Sequence, residues 1–292
     1  MGEPDVAAGR PARLYPDARA VLASMHGKER VIAPLLQPLG LHVLPAGIDT
    51  DAFGTFSRER PRLDTPLATA RAKIDAALTR HPECRVALAS EGSFGAHPAS
   101  PLLPWAHELV LFVDRDRELS VIGEDRGAAT NYAHAPCIST ADARAFAARV
   151  GFPAHGLIAM ACVDGRPAPA LALHKDLHDE AVLLDVVARL VDRHGLAWLE
   201  TDMRAHRNPT RMAAIARATA DLVRRLSTPC PRCGQPGYGQ RETRAGRPCA
   251  DCGAPTRLPR VAIFACAGCG AAEERPLPDA AADPAHCDFC NP

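Results

Sequence analysis

Lysine is nearly missing from this chain. Lys28, Lys73 and Lys175 are three among 34 basic side chains, and arginine supplies the rest. A protein that otherwise uses guanidinium keeps an ammonium where a compact point charge is wanted. Net charge is missing as well, since 34 acidic side chains offset the 34 basic ones over 292 residues. A protein that grips nucleic acid through its phosphates needs a positive field, so that class is disfavoured. No window of about 18 apolar residues occurs, which excludes a membrane-crossing helix. Met1–Arg10 has no apolar core of the kind that directs export, so a cytoplasmic location is expected. The glycine framework of a Walker A loop is absent, as is Gly-x-Ser-x-Gly.

Cysteine, by contrast, is concentrated. Eight of eleven fall in four Cys-x-x-Cys pairs, Cys230/Cys233, Cys249/Cys252, Cys266/Cys269 and Cys287/Cys290, with gaps of 15, 13 and 17 residues. Each pair presents two thiolates from one tight turn, and two pairs complete a tetrahedral shell, so two structural zinc ions are predicted. Iron or an iron–sulfur cluster uses the same ligands, and disulfides need an oxidising compartment. Sequential, nested and alternating pairings all fit the spacing. A closed shell of four thiolates has no open position, so these metals build structure and any chemistry lies elsewhere. Residues 228–292 carry seven arginines and seven carboxylates. Two four-thiolate zinc sites make this tail acidic.

The rest of the chain alternates strand and helix patterns, which predicts an α/β fold with a mixed sheet flanked by helices and a small C-terminal zinc-ribbon-like module. The expected organisation is a flexible segment over 1–17, a ligand-binding or catalytic domain over 18–227 and the zinc module over 228–292. Strands are expected at Arg19–Ser24, Leu41–Pro45, Arg85–Ser90, Glu108–Asp114, Leu119–Gly123 and Leu196–Thr201. Helices are expected at Lys28–Leu39, Thr65–Thr79, Ala141–Val150, Leu177–His194 and Pro209–Leu226. Asp164-Gly165 reads as the turn of a hairpin between Gly156–Asp164 and Pro169–His174.

Ligands of α/β folds bind where strands end and helices begin. Ser24-Met25-His26-Gly27-Lys28-Glu29 is one such turn, with His26 and Lys28 as anion contacts. Ser90–Pro98 reads as a loop in which Glu91 suits a base or metal ligand and Ser93 suits phosphate. Glu200–Arg211 opens the last helix. There Asn208 and Pro209 suit the N-cap and first position. Arg204, Arg207 and Arg211 crowd a helix end that disfavours cations unless an anion or a carboxylate network compensates. His206 lies among them, and Asp202 is a candidate metal ligand. Ile48–Phe56 adds Asp49 and Asp51 as metal carboxylates. Asn131 and Thr130 suit capping or ligand contact. Cys84, Cys137 and Cys162 read as ordinary small residues.

The series His26-Gly27-Lys28-Glu29, Thr50–Phe56, Ser90–Gly95, Glu200–Pro209 and Cys287-Asp288-Phe289-Cys290-Asn291-Pro292 resembles a family of uncharacterised bacterial proteins, a domain of unknown function. The first third is also similar to the pyrophosphatases that hydrolyse non-canonical purine nucleoside triphosphates. Ser24…Lys28, Ala70-Arg71-Ala72-Lys73 and Ser90-Glu91-Gly92 fall in their order, without the turn asparagine or the helix glutamate of those enzymes.

The function expected from the sequence is binding of a phosphorylated small molecule, above all a nucleotide, with phosphoryl or pyrophosphoryl hydrolysis or transfer assisted by Mg²⁺. Lys28, Arg204 and Arg207 would hold phosphates, with His26, Ser93, His206 and Asn208 nearby. Glu91, Asp51 and Asp202 would hold metal or orient water. The alternative is a zinc-ribbon adaptor that binds nucleic acid or a protein partner without catalysis.

Overall fold

Alternating strands and helices bury their apolar faces by laying helices on sheets. The computed structural model describes residues 14–61, 64–97, 100–278 and 281–292. The chain divides into two units, the larger running to residue 114 and over 122–223, the smaller holding 115–121 and 224–292. β1 (Ala18–Ala23) leads through α1 (Glu29–Leu36) and a 3-10 turn to β2 (Leu41–Pro45), and α2 (Pro66–Arg80) then leads to β3 (Val86–His97). β1 pairs in parallel with both β2 and β3, as strands joined through helical crossovers do. β3 folds back antiparallel on β4 (Ser100–Asp114). β5 (Leu119–Gly127) completes a mixed sheet in the order β2-β1-β3-β4-β5.

α2 begins where Thr65 accepts a bond from the Ala68 amide and Pro66 fills the first turn. It lays Ala70, Ile74 and Ala77 on Val21, Ala23, Ala87, Ala89 and Leu111. The small side chains on both faces let helix and sheet approach closely, which places Lys73 of α2 over the sheet.

A second, antiparallel sheet follows. Its elements are β6 (His134–Cys137), α3 (Thr140–Val150), β7 (Leu157–Val163), β8 (Arg166–Pro167), β9 (Leu173–Leu177), α4 (Glu180–His194), β10 (Ala197–Thr201) and α5 (Pro209–Leu226). The strand order is β6-β10-β7-β8, with β9 also on β7. α3 and α4 cover it with Phe146, Leu183, Val187 and Leu190 against Leu157 and Leu199. Ser139 and Asp179 cap these helices through their side-chain oxygens.

The smaller unit carries β11 (Tyr238–Ala245), β12 (Pro259–Cys266) and β13 (Ala272–Pro276) as an antiparallel sheet. Among the described residues it has a small apolar cluster of Cys230, Tyr238 and Cys266 with Phe264 and Ala271, and β13 is exposed along its length. So little burial does not offset the entropy of ordering a domain this small.

Two sequence expectations change. Ser90–His97 is not a loop but the second half of β3. The segment expected as a loop contains Gly92 and Gly95, yet the β4 pairing runs past both of them. Leu177 ends β9 rather than opening a helix, because the Asp179 cap starts α4 later. Of the expected flexible N-terminus, residues 1–13 lie outside the described residues, and Tyr15 is buried with its ring 5.5 Å from Phe112.

Candidate functional site

The eight paired cysteines form two groups of four, Cys230, Cys233, Cys266 and Cys269, and Cys249, Cys252, Cys287 and Cys290. The pairing is therefore alternating, first with third and second with fourth. In the first group Sγ atoms approach at 3.9 and 3.7 Å, in the second at 3.8 and 3.5 Å. Four sulfurs about 2.3 Å from one Zn²⁺ stand about 3.8 Å apart at the corners of a tetrahedron. A disulfide would place them about 2.05 Å apart. The donor set thus fits two zinc ions. Backbone amides of Arg232, Gly268 and Cys269 point at the Cys230 and Cys266 sulfurs within 3.3–3.4 Å, as amides do around thiolate.

The larger unit holds a different kind of site. Ala23 of β1 is in register with Ala89 of β3, so Ser24 and Ser90 leave that line side by side. Gly27 at φ 71° and His26 at φ 68° turn the chain after β1, and Lys28 is carried back to Ser90, whose carbonyl accepts from Nζ at 2.7 Å. A left-handed histidine is uncommon and marks a conformation held by its surroundings. A cavity of about 40 Å³ opens here, lined by Lys28, Lys73, Lys175, Arg204, Arg211 and the carboxylates Asp51 and Glu91, among others. All three lysines of the chain line this one cavity.

Four of its five cations have carboxylate partners. Lys73 of α2 pairs with Glu91. Lys175 of β9 meets Glu59 at 2.7 Å, and Arg204 meets Asp202 at 2.6 Å and Asp176 at 3.0 Å. Arg211, set in the first turn of α5 by the Asn208 cap, donates Nε to Glu108 at 2.6 Å. Lys28 has no carboxylate partner among the described residues. Burial, then the neighbouring Arg211 charge, pushes its pKa down to about 7 against the opposing pull of Glu91 and Glu108. Ser90 Oγ and Arg211 Nη2 are buried without a hydrogen-bond partner among the described residues.

The remaining predicted site residues surround this cavity at different distances. His26 and Asp51 line it, joined at 3.4 Å. His206 stacks on His26 with ring centroids 4.9 Å apart. Burial lowers the pKa of both rings, and the Arg204 and Arg207 charges lower His206 further. Arg207 does not line the cavity; its Nε meets Asp176 at 2.7 Å. Asp202 is fully buried, and both its oxygens accept from Arg204. Asn208 is equally buried, bonded to Asn131 at 2.9 Å as it caps α5. Ser93 lines a separate recess of about 230 Å³ with Phe56, Arg58, Phe94, Tyr132 and Glu200. Thr55 and Phe56 line both spaces. The Arg211 guanidinium lies 4.4 Å from the Phe56 ring and 5.3 Å from Phe94. Among the described residues, Asp51, Glu91 and Asp202 do not converge as a group of metal ligands; the two cysteine groups do.

Sequence reasoning left Lys73, Lys175 and Glu108 without a role. The scarcity of lysine marks the first two as places where an ammonium is wanted, without assigning them to the site. Glu108 was hidden in an apolar strand. It sits opposite Gly92 in the β3–β4 register, and a Cβ on Gly92 would overlap its carboxylate. Gly92→Ala is therefore expected to cost about 1–3 kcal/mol by overpacking against an acid that Arg211 holds in place. A denaturant midpoint unchanged from wild type would contradict this.

No curated protein matches the chain, the purine nucleoside triphosphate pyrophosphatases included. No helix is long and apolar enough to cross a membrane among the described residues. One family model matches residues 76–292, a span that takes in Glu91, Lys175, Arg211 and all eight paired cysteines. The chain belongs to that family, described as a domain of unknown function, DUF6671.

Proposed function

We propose that the larger unit binds a phosphorylated small molecule, a nucleotide above others, with a phosphoryl group in the lysine cavity. The observation that carries this reading is Lys28, a buried ammonium with no carboxylate of its own, facing a cavity walled by four more cations. An unpaired buried charge is expensive to keep unless a ligand completes it. A cavity of 40 Å³ has room for about three waters by the usual volume per site, comparable with the terminal oxygens of one phosphoryl group. Those oxygens would give Lys28, Ser90 Oγ and Arg211 Nη2 the partners they lack.

The left-handed backbone at His26, Arg58 and Asp176 supports the same reading, since strain of this kind collects at ligand sites. Asp202 contributes by holding Arg204 in place. Turnover would need Mg²⁺, which enters such sites with the phosphates and one or two carboxylates; Asp51 and Glu91 stand at the cavity wall for that role. The adaptor alternative has no comparable site behind it among the described residues.

Thermal melts of the full chain with millimolar pyrophosphate test the reading. A ligand at about 100 times its Kd adds about 2.7 kcal/mol to folding, so Tm is expected to rise by several degrees. An uncharged nucleoside that raises Tm as much as pyrophosphate does, or a pyrophosphate effect that survives Arg211→Met, would contradict a phosphate seat in this cavity.

A further inference from the structure

The aromatic recess next to the lysine cavity has its own chemistry. Its walls are flat. Phe94 and Tyr132 are stacked at 6.1 Å with 26° between planes, and Phe56 tilts against Phe94 at 5.4 Å. At 230 Å³ it is the roomier of the two spaces.

One charged pair stands in this aromatic setting. Glu200 of β10 is buried, and its Oε2 accepts from Arg58 Nε at 2.9 Å and from Trp198 Nε1 at 3.4 Å. Burial raises the Glu200 pKa, and Arg58 only partly offsets it. Among the described residues, neither Oε1 of Glu200 nor the Nη atoms of Arg58 has a hydrogen-bond partner. An acceptor and a donor of opposite charge thus stand side by side with bonding capacity left over. The Arg58 backbone is left-handed at φ 64°, a conformation that a long side chain adopts only when its neighbours hold it.

We infer that the recess is a nucleobase subsite in which Glu200 and Arg58 select a base with a ring N–H beside a ring carbonyl, as in guanine and hypoxanthine. This rests on the phosphate reading of the adjoining cavity, because Thr55 and Phe56 line both and the Arg211 guanidinium lies over Phe56. The ring packs on Phe94 and Tyr132, where base–aromatic contact is tolerant of sequence. Identity comes from the edge. The carboxylate Oε1 accepts the ring N–H, and the guanidinium donates to the carbonyl. A lactam edge carries larger opposite partial charges than the amino edge of adenine or cytosine, so it is the better match for two full charges. The ring carries a phosphoryl group on its sugar into the lysine cavity.

Calorimetric titrations of the full chain with pyrophosphate, GMP and AMP test this. GMP is expected to bind about tenfold more tightly than AMP. Glu200→Gln is expected to erase that difference by weakening GMP about tenfold, the loss typical of one hydrogen bond to a charged group. Arg58→Ala, at a half-exposed side chain that tolerates truncation, is expected to do the same, and it keeps the test open if Glu200→Gln does not fold. Equal binding of AMP and GMP by wild type, or a preference that survives both substitutions while pyrophosphate still binds, overturns the base subsite and leaves the phosphate reading standing. If pyrophosphate, GMP and AMP all fail to bind, the phosphate reading itself falls.

Discussion

Cys266→Ser is expected to empty both metal sites of the smaller unit, not one. Zinc content measured on the purified variant should fall from two per chain to well below one. The reason is the alternating connectivity. Cys249 and Cys252 lie inside the loop that the first site closes between Cys233 and Cys266, and Cys266 and Cys269 lie inside the loop that the second closes between Cys252 and Cys287. Each site fixes the segment that presents ligands to the other. The apolar cluster of this unit is too small to hold those segments alone. Binding energy at structural zinc is folding energy, about 10–16 kcal/mol in small peptides, so losing one site removes more than the sheet of β11–β13 can supply. A chelator should therefore also abolish the circular dichroism of this unit in a single step. A Cys266→Ser protein that keeps one tightly held zinc would show that the sites are independent, as sequential pairing would make them.

Lys28→Met is expected to make the free protein more stable near neutral pH. The folded-state pKa of Lys28 lies at about 7, while an unfolded lysine titrates near 10.4. Between those values the unfolded chain binds a proton that the folded chain has released, so stability rises with pH across that window. Below about pH 7 the folded protein carries the buried charge and bears the whole cost, a few kcal/mol. Methionine removes it. The variant forfeits the bond to the Ser90 carbonyl, about 1 kcal/mol, which is the smaller term. The Tm gain should be largest at pH 6–7 and should vanish toward pH 10.5. A variant less stable than wild type at pH 7, or a gain that does not shrink as pH rises, would mean that Lys28 is not the unpaired charge described here.

Much of the framework was legible because local signals and burial agree. β2 and α5 have the bounds that apolar patterning and the Asn208-Pro209 start imply. The turn after β1 was legible from Gly27 and the helix behind it. Other features depend on partners that a single segment does not reveal. Gly92 and Gly95 advertise a turn, but the pairing that makes them strand residues is supplied by β4. The zinc pairing is set by the path of β11–β13, and spacing alone is equally consistent with three connectivities. Among the candidate site residues, Lys28, Glu91, Asp51, His26 and Arg204 line one cavity, while Arg207 and Asp202 hold their neighbours in place at its margin. Asp202 and Arg204 are two residues apart, and only a structure tells whether such a carboxylate serves a ligand or its own arginine. The scarcity of lysine was a global signal. It marked three positions on a loop, a helix and a strand without showing that they meet.

The claim on which the rest depends is that these lysines converge to hold a phosphoryl group. Calorimetry of pyrophosphate binding to wild type and to Lys28→Met tests it most directly. Wild type is expected to bind with one site per chain, and the variant about 100-fold more weakly, the loss that follows removal of a buried charge from a charge-assisted contact. Equal affinity in the two proteins, or no heat from wild type, would contradict it.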